Sequence, residues 1–190
     1  MSKDLKERFQ KDKKITIENL CELLIQKGLI SEEQKKEILV KHSKQRARLA
    51  LEQRELRFSR GRAQAPTEIS PAQIIASFKF SLPQDPDRLL TEDVIMQALA
   101  EALGMEYVKI DPLKLDLDLV TRTISRPFAR RHSMIPIASR DNILVVATDD
   151  PFDLEGVDGI RRASGKKVEL VLSPRSDIQR IINDFYGFRT

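Results

Sequence analysis

From Ile143 to Asp153 the chain reads ILVVATDDPFD: five apolar residues in a row, then Asp-Asp-Pro and another acid. A run of that kind is a buried strand that stops at a turn, because proline has no amide to give to a sheet ladder. Asp153 is placed to cap the helix that follows, its carboxylate accepting from the free amides of the first turn. A charged helix from Asp153 to Ser164, a second apolar run VELVLS at Val168–Ser173, and a last helix from Pro174 to Tyr186 complete the pattern. Strand, helix, strand in that order predicts a right-handed crossover between parallel neighbours. Upstream, Met134–Ala138 and Ile143–Thr148 flank the tight turn SRDN and predict an antiparallel hairpin. The expectation is an α+β domain with a small mixed sheet packed with helices.

Helical patterning fills the rest. Ile17, Leu20, Leu23, Leu24 and Ile25 fall at helical spacing up to Gly28, a residue suited to the left-handed C-terminal stop. Ser31 with Gln34 three residues on forms a capping box that opens a second helix. The N-terminal part is thus a helical hairpin whose second arm, from Lys41 to Arg62, is so charged that it should be exposed. SRGRAQAPTE, Ser59 to Glu68, reads as a flexible linker. Ser70-Pro71 opens a helix running to about Phe80, and SLPQDPDRLL, Ser81 to Leu90, reads as a loop. Thr91 caps a helix ended by Gly104, an extended stretch Tyr107–Ile110 follows, and short helices are expected at Leu117–Ile124 and Pro127–His132. The organisation predicted is a basic helical arm at 1–64, a linker with a short helix at 65–90, and an α+β domain at 91–190. LISEEQKKEILVKH and LLTEDVIMQALAEA echo one another, either as two copies of a helical unit or as two capped amphipathic helices of the ordinary kind.

Charge is uneven. Residues 1–64 hold 17 Lys and Arg against 10 Asp and Glu, so the excess positive charge lies in the first third. A basic segment can meet nucleic acid or anionic lipid. Here the cations alternate with glutamates and only Phe9 and Phe58 are aromatic, which favours a solvated helical face. A nucleic-acid-binding adaptor is therefore the weakest reading, and no nucleic acid is expected as a partner. The single Cys21 excludes a disulfide framework, no apolar run approaches the ~18 residues of a membrane span, and MSKDLKERFQ is not a signal peptide, so a cytoplasmic location is expected.

Catalytic patterns are weak. GIRRASGKK, Gly159 to Lys167, puts five residues between its glycines, follows a helix, and has Lys167 where a phosphate-binding loop needs a hydroxyl. Gly165 reads instead as a helix stop. Asp149, Asp150 and Asp153 resemble a metal cluster, but Asp150 before Pro151 shapes a turn and Asp153 has a cap to make, so Asp150, Pro151 and Asp153 are assigned structural duties. His42 and His132 have no cysteine at ligand spacing. No catalytic, metal or cofactor residues are assigned. Three cationic doublets, Arg130-Arg131, Arg161-Arg162 and Lys166-Lys167, either complement helix dipoles or form an interface for an acidic protein; they are the candidate interface residues.

Residues 89–188 resemble the N-terminal domain of the type II secretion and type IV pilus assembly ATPases, through LTEDVIMQALAEALGMEYVKID, RPFARRHSMIPI, LVVATDDPFDLEGVDGIRRASGKKVELVLS and IQRIINDFYG. The resemblance implies a non-catalytic docking and regulatory module that binds the cytoplasmic part of an inner-membrane platform protein and brings a hexameric ATPase to the membrane. ATP and magnesium would then belong to an ATPase domain expected beyond Thr190. Some relatives bind cyclic di-GMP through two copies of RLGxxLxxxGxLxxxxLxxxLxxQ. Leu20, Leu24, Gly28, Ile30 and Leu39 follow that pattern, but Asn19, Cys21, Lys35 and His42 depart from it. The second copy keeps Leu90, Ile95 and Leu99, has Ala102 for its closing Gln, and lacks the RLG opening. Losing the guanidinium forks speaks against the dinucleotide and leaves a cyclic di-GMP or nucleotide sensor as an alternative.

Overall fold

The computed structural model describes residues 3–59 and 67–187. Its contacts divide the chain into two compact units, Met1–Leu99 and Ala100–Thr190.

The first unit opens with α1 (Lys3–Asp12), α2 (Ile17–Gln26) and α3 (Glu32–Ser59). Thr16 and Asn19 form a reciprocal capping box at the start of α2, and Ser31 with Gln34 forms another at α3. The turn between them rests on Gly28 at φ 66°, whose neighbour Leu29 donates to Leu24 across the helix end. Phe9, Leu20, Leu23, Leu24 and Ile38 are buried. Beyond Ile38 the arm α3 continues to Ser59 as one helix, with Val40, Leu51 and Leu56 exposed. Most of the expected linker, residues 60–66, lies outside the described residues.

Two sequence expectations are corrected here. The helix opened by Ser70 and Pro71 is α4 (Pro71–Ala76), not a helix to Phe80. It ends at the cap Ser77, and Lys79, left-handed at φ 56°, stands between Phe78 and Phe80, whose rings stack. The segment expected as a loop is a small antiparallel hairpin, β1 (Ser81–Leu82) and β2 (Asp85–Leu89). Gln34 Nε2 donates to Ser81 O and ties it to α3. α5 (Glu92–Leu103), capped by Thr91, carries the chain across the division between the units.

The second unit contains α6 (Leu117–Thr123), α7 (Arg126–His132), β3 (Met134–Arg140), β4 (Ile143–Thr148), α8 (Leu154–Ser164), β5 (Lys167–Leu172) and α9 (Arg175–Gly187). The sheet order is β3-β4-β5, antiparallel then parallel, which makes the chain α+β. Ser133 at φ 49° turns α7 into β3, and Asp141 at φ 48° turns β3 into β4. A shift in register between Pro136 and Ala138 lets β3 run on to Arg140, two residues further than the apolar pattern suggests. Val145, Val146, Val171, Ile178, Ile181 and Ile182 lie in one core, with Leu170 packed against its edge. Full burial of each aliphatic side chain contributes about 1.5–3 kcal/mol, so this cluster is the main source of the unit's stability. Tyr186 extends the core to the end of α9, its hydroxyl proton shared between the carbonyls of Val120 and Ile124, each 2.8 Å away.

Candidate docking surface

The two ends of the parallel strand pair differ in what their charged residues do. At the C-terminal ends of β4 and β5 the acids Asp149, Asp150, Asp153 and Asp177 have local duties. Asp149, buried, accepts from Arg175 Nε at 2.7 Å. Thr148 Oγ1 accepts from the amide of Asp150, whose Oδ1 accepts from the amide of Phe152, so Pro151 sits inside a turn closed on both sides. Burial raises the Asp150 carboxyl above its ordinary pKa. Asp153 divides its carboxylate: Oδ1 caps α8 at the amide of Gly156, and Oδ2 lies 2.6 Å from Nδ1 of buried His132. A Cβ on Gly156 would meet Asp153, Met134 and His132 at 3.0 Å or less, which is why the helix has glycine there. Asp177 pairs with Lys109 at 2.7 Å, and Ser173 Oγ donates to Val108 O. These contacts clamp turns, helices and strands together.

The opposite end is open. Gly165, at φ 67°, ends α8 with its amide on Arg161 O, so the near-miss phosphate loop is a helix cap followed directly by a strand. Arg161, Gly165, Lys166, Lys167, Val168 and Asn142 surround an open depression of about 530 Å³. Register places Arg140 opposite Ile143, and Ile143 opposite Lys167, so an exposed apolar side chain stands between two cations. Lys166 Nζ donates to Ser139 Oγ, and Arg161 pairs with Asp158. Three of the six candidate interface residues therefore line one depression. Arg162, in the last turn of α8, is exposed and is not among its lining. Arg130 and Arg131 belong to α7, where Arg131 meets Glu155 at the start of α8. Sequence reasoning missed Arg140 and Ile143. The turn SRDN fixes which residues face across the hairpin, but Lys167 joins them only through the parallel register.

In the first unit, the residues that depart from the dinucleotide pattern have structural surroundings. Asn19 Oδ1 accepts from the amide of Thr16 while its Nδ2 donates to Lys14 O. Cys21 is buried, which pushes its thiol up to about 12 and leaves it protonated and unreactive at neutral pH. Lys35 pairs with Glu22, and that hydrogen bond raises its pKa. No helix among the described residues is long and apolar enough to cross a membrane.

Residues 103–190 match the model of the MshEN domain family. Over 93 residues the sequence is 32% identical to the type IV pilus assembly ATPase TfpB of Acinetobacter baylyi, covering 48% of this chain and 16% of that protein. The chain thus spans 16% of that relative's length. A structure of MshE with cdg covers 88% of this chain and 98% of its own, at 20% identity and a TM-score of 0.52, and shares the fold. The N-terminal domain of XpsE is also similar, at 27% identity over 46% of this chain and 62% of its own, with a TM-score of 0.40. The family match is thus confined to the second compact unit.

Proposed function

We propose that the chain is a docking and regulatory domain of a type II secretion or type IV pilus assembly ATPase, joining the motor to the cytoplasmic part of an inner-membrane platform protein. The observation that carries this reading is the agreement between the matched residues, 103–190, and the self-contained second unit. A further support is the division of labour within that unit. Asp149 and Asp153 at one end hold the fold, while Arg161, Lys166 and Lys167 line a surface depression at the other. On this reading the domain performs no chemistry of its own and works from the cytoplasmic side, peripheral to the membrane through its partner; ATP and magnesium belong to the motor. Mixing the full chain with the cytoplasmic domain of its cognate platform protein tests it. Saturable binding is expected. A folded sample that does not bind, together with a longer ATPase that also fails, would remove the proposal.

A second reading, favoured by the fold shared with MshE, is that the chain binds cyclic di-GMP. Calorimetry with the dinucleotide separates it from the first: heat that saturates at micromolar ligand would establish a sensor, and none at millimolar ligand would end that reading.

A further inference from the structure

The long helix α3 has two sides with different surroundings. Ile38 is buried, and His42, Gln45, Leu49 and Gln53 after it are half-buried, at helical steps of four, three, four and four residues, so this is the covered side of the helix. Half a revolution away, Lys36, Val40, Lys44, Ala47, Leu51 and Arg54 are all exposed. Val40 is 81% exposed and Leu51 59%. This strip holds three cations, three apolar residues and no acid, and Glu37 and Glu55 lie along one border only. The cations beside the strip are paired on the helix itself, Lys41 with Glu37 and Arg48 with Glu52. Lys36 and Lys44, on the strip, form no ion pair among the described residues. From Val40 onward the steps are four, three, four and three, the 3.5-residue repeat that keeps one face against a second helix. From Lys36 to Arg54 the strip extends for about 27 Å at the rise of an α-helix.

We infer that this strip of α3 takes a second helix, supplied by a protein partner, whose facing side is apolar along its centre and carries Glu or Asp along its flanks. The inference goes beyond the docking reading, since α3 lies in the first unit and outside residues 103–190. Val40, Ala47 and Leu51 supply the apolar contacts, and the small Ala47 lets the two helices approach at mid-strip. Lys36, Lys44 and Arg54 meet the acids, and charge complementarity selects which helix is accepted. A second copy of α3 is disfavoured because it would double the same cations along a seam that holds no acid. A bilayer is disfavoured because it rewards a wide face of large apolar residues, and here cations alternate with Val, Ala and Leu. Nucleic acid gains nothing from apolar residues set between the cations, and the strip has no aromatic side chain on which a base could stack.

The test is calorimetry on the full chain with a designed helical peptide of about four heptads, Leu at its seam positions and Glu along both flanks, beside a control peptide with Lys in place of every Glu. Saturable binding of the Glu peptide and none of the Lys peptide is expected. Lys36→Glu with Lys44→Glu should weaken binding about tenfold at low salt and less at high salt. Val40→Gln with Leu51→Gln should weaken it about tenfold at either salt. All four positions are exposed and the new residues are good helix formers, and circular dichroism checks that each variant keeps its helix content. A spin label on Ala47→Cys reads the site directly, because Cys21 is buried and escapes the reagent; the Glu peptide should immobilise it. If one variant misfolds, the other variant and the label still decide. No binding of the Glu peptide overturns the inference, as does binding that a folded variant keeps or that leaves the label mobile. Equal binding of the Lys peptide overturns the stated charge of the partner. Immobilisation of the label by phosphatidylglycerol vesicles, by a DNA duplex or by self-association, but not by the Glu peptide, overturns the assigned occupant. None of these outcomes touches the docking reading, which platform binding decides.

Discussion

The two ends of β5 are built from the same residue types for opposite purposes. At Leu172 the strand is paired on both sides, and nearby Asp149 is tied to Arg175 and Asp177 to Lys109. At Lys167 the strand is paired on one side, and Arg140, Arg161 and Lys167 around it are exposed. Charged residues in a fold of this kind therefore divide by burial rather than by sign or spacing. A buried pair is costly to break because removing one partner strands the other, whereas an exposed cation costs almost nothing to change and is available for a partner.

That contrast can be broken by substitution. The largest effect is expected from Asp149→Ala, which leaves the Arg175 guanidinium buried without its carboxylate and should cost about 3–5 kcal/mol in urea unfolding. Replacing both, Asp149→Leu with Arg175→Met, should recover much of the loss; if the single and double variants are equally destabilised, the pair is not the clamp described. Asp153→Ala removes the α8 cap and the His132 partner together and should cost about 2 kcal/mol, read as a lower thermal midpoint. A smaller effect, of opposite sign, is expected at Asp150. Its raised pKa means that the folded state disfavours the charge: no penalty exists below the ordinary carboxylate range, and it grows as pH rises through the folded pKa. Asp150→Asn should therefore raise the midpoint at pH 7 and leave it unchanged at pH 3. The smallest effect belongs to the open end, where Lys166→Glu with Lys167→Glu should shift stability by less than about 0.5 kcal/mol. A large loss there would erase the contrast.

Much of the second unit is legible in the sequence because its signals are local and agree. The run Ile143–Thr148 is β4, Asp153 caps α8, and Gly165 ends it. The hairpin at 81–90 was not legible. Its second strand carries Asp85, Pro86 and Asp87, residues depleted from strands, and nearly all of its side chains are exposed, so no alternation marks it. Backbone pairing makes it a hairpin: Ser81 stands opposite Leu89, Leu82 opposite Asp85, and Leu90 N donates to Phe80 O. The doublets at 161–162 and 166–167 supply three residues of the depression's lining, Arg161, Lys166 and Lys167. Arg140 and Ile143 join them through register, and register is a property of two strands that neither segment carries alone. The doublet at 130–131 looked identical in sequence and lies on a different helix.

The fastening of α9 has a mechanical meaning. Arg175 at its first turn is joined to Asp149 behind β4, Ile178, Ile181 and Ile182 are fully enclosed along its length, and Tyr186 in its last turn is bonded to the far end of α6. A load applied along the helix axis at Tyr186 must shear all of these contacts at once instead of peeling them in turn. The second unit should thus yield to tension in a single cooperative step, and below that threshold behave as a stiff coupling.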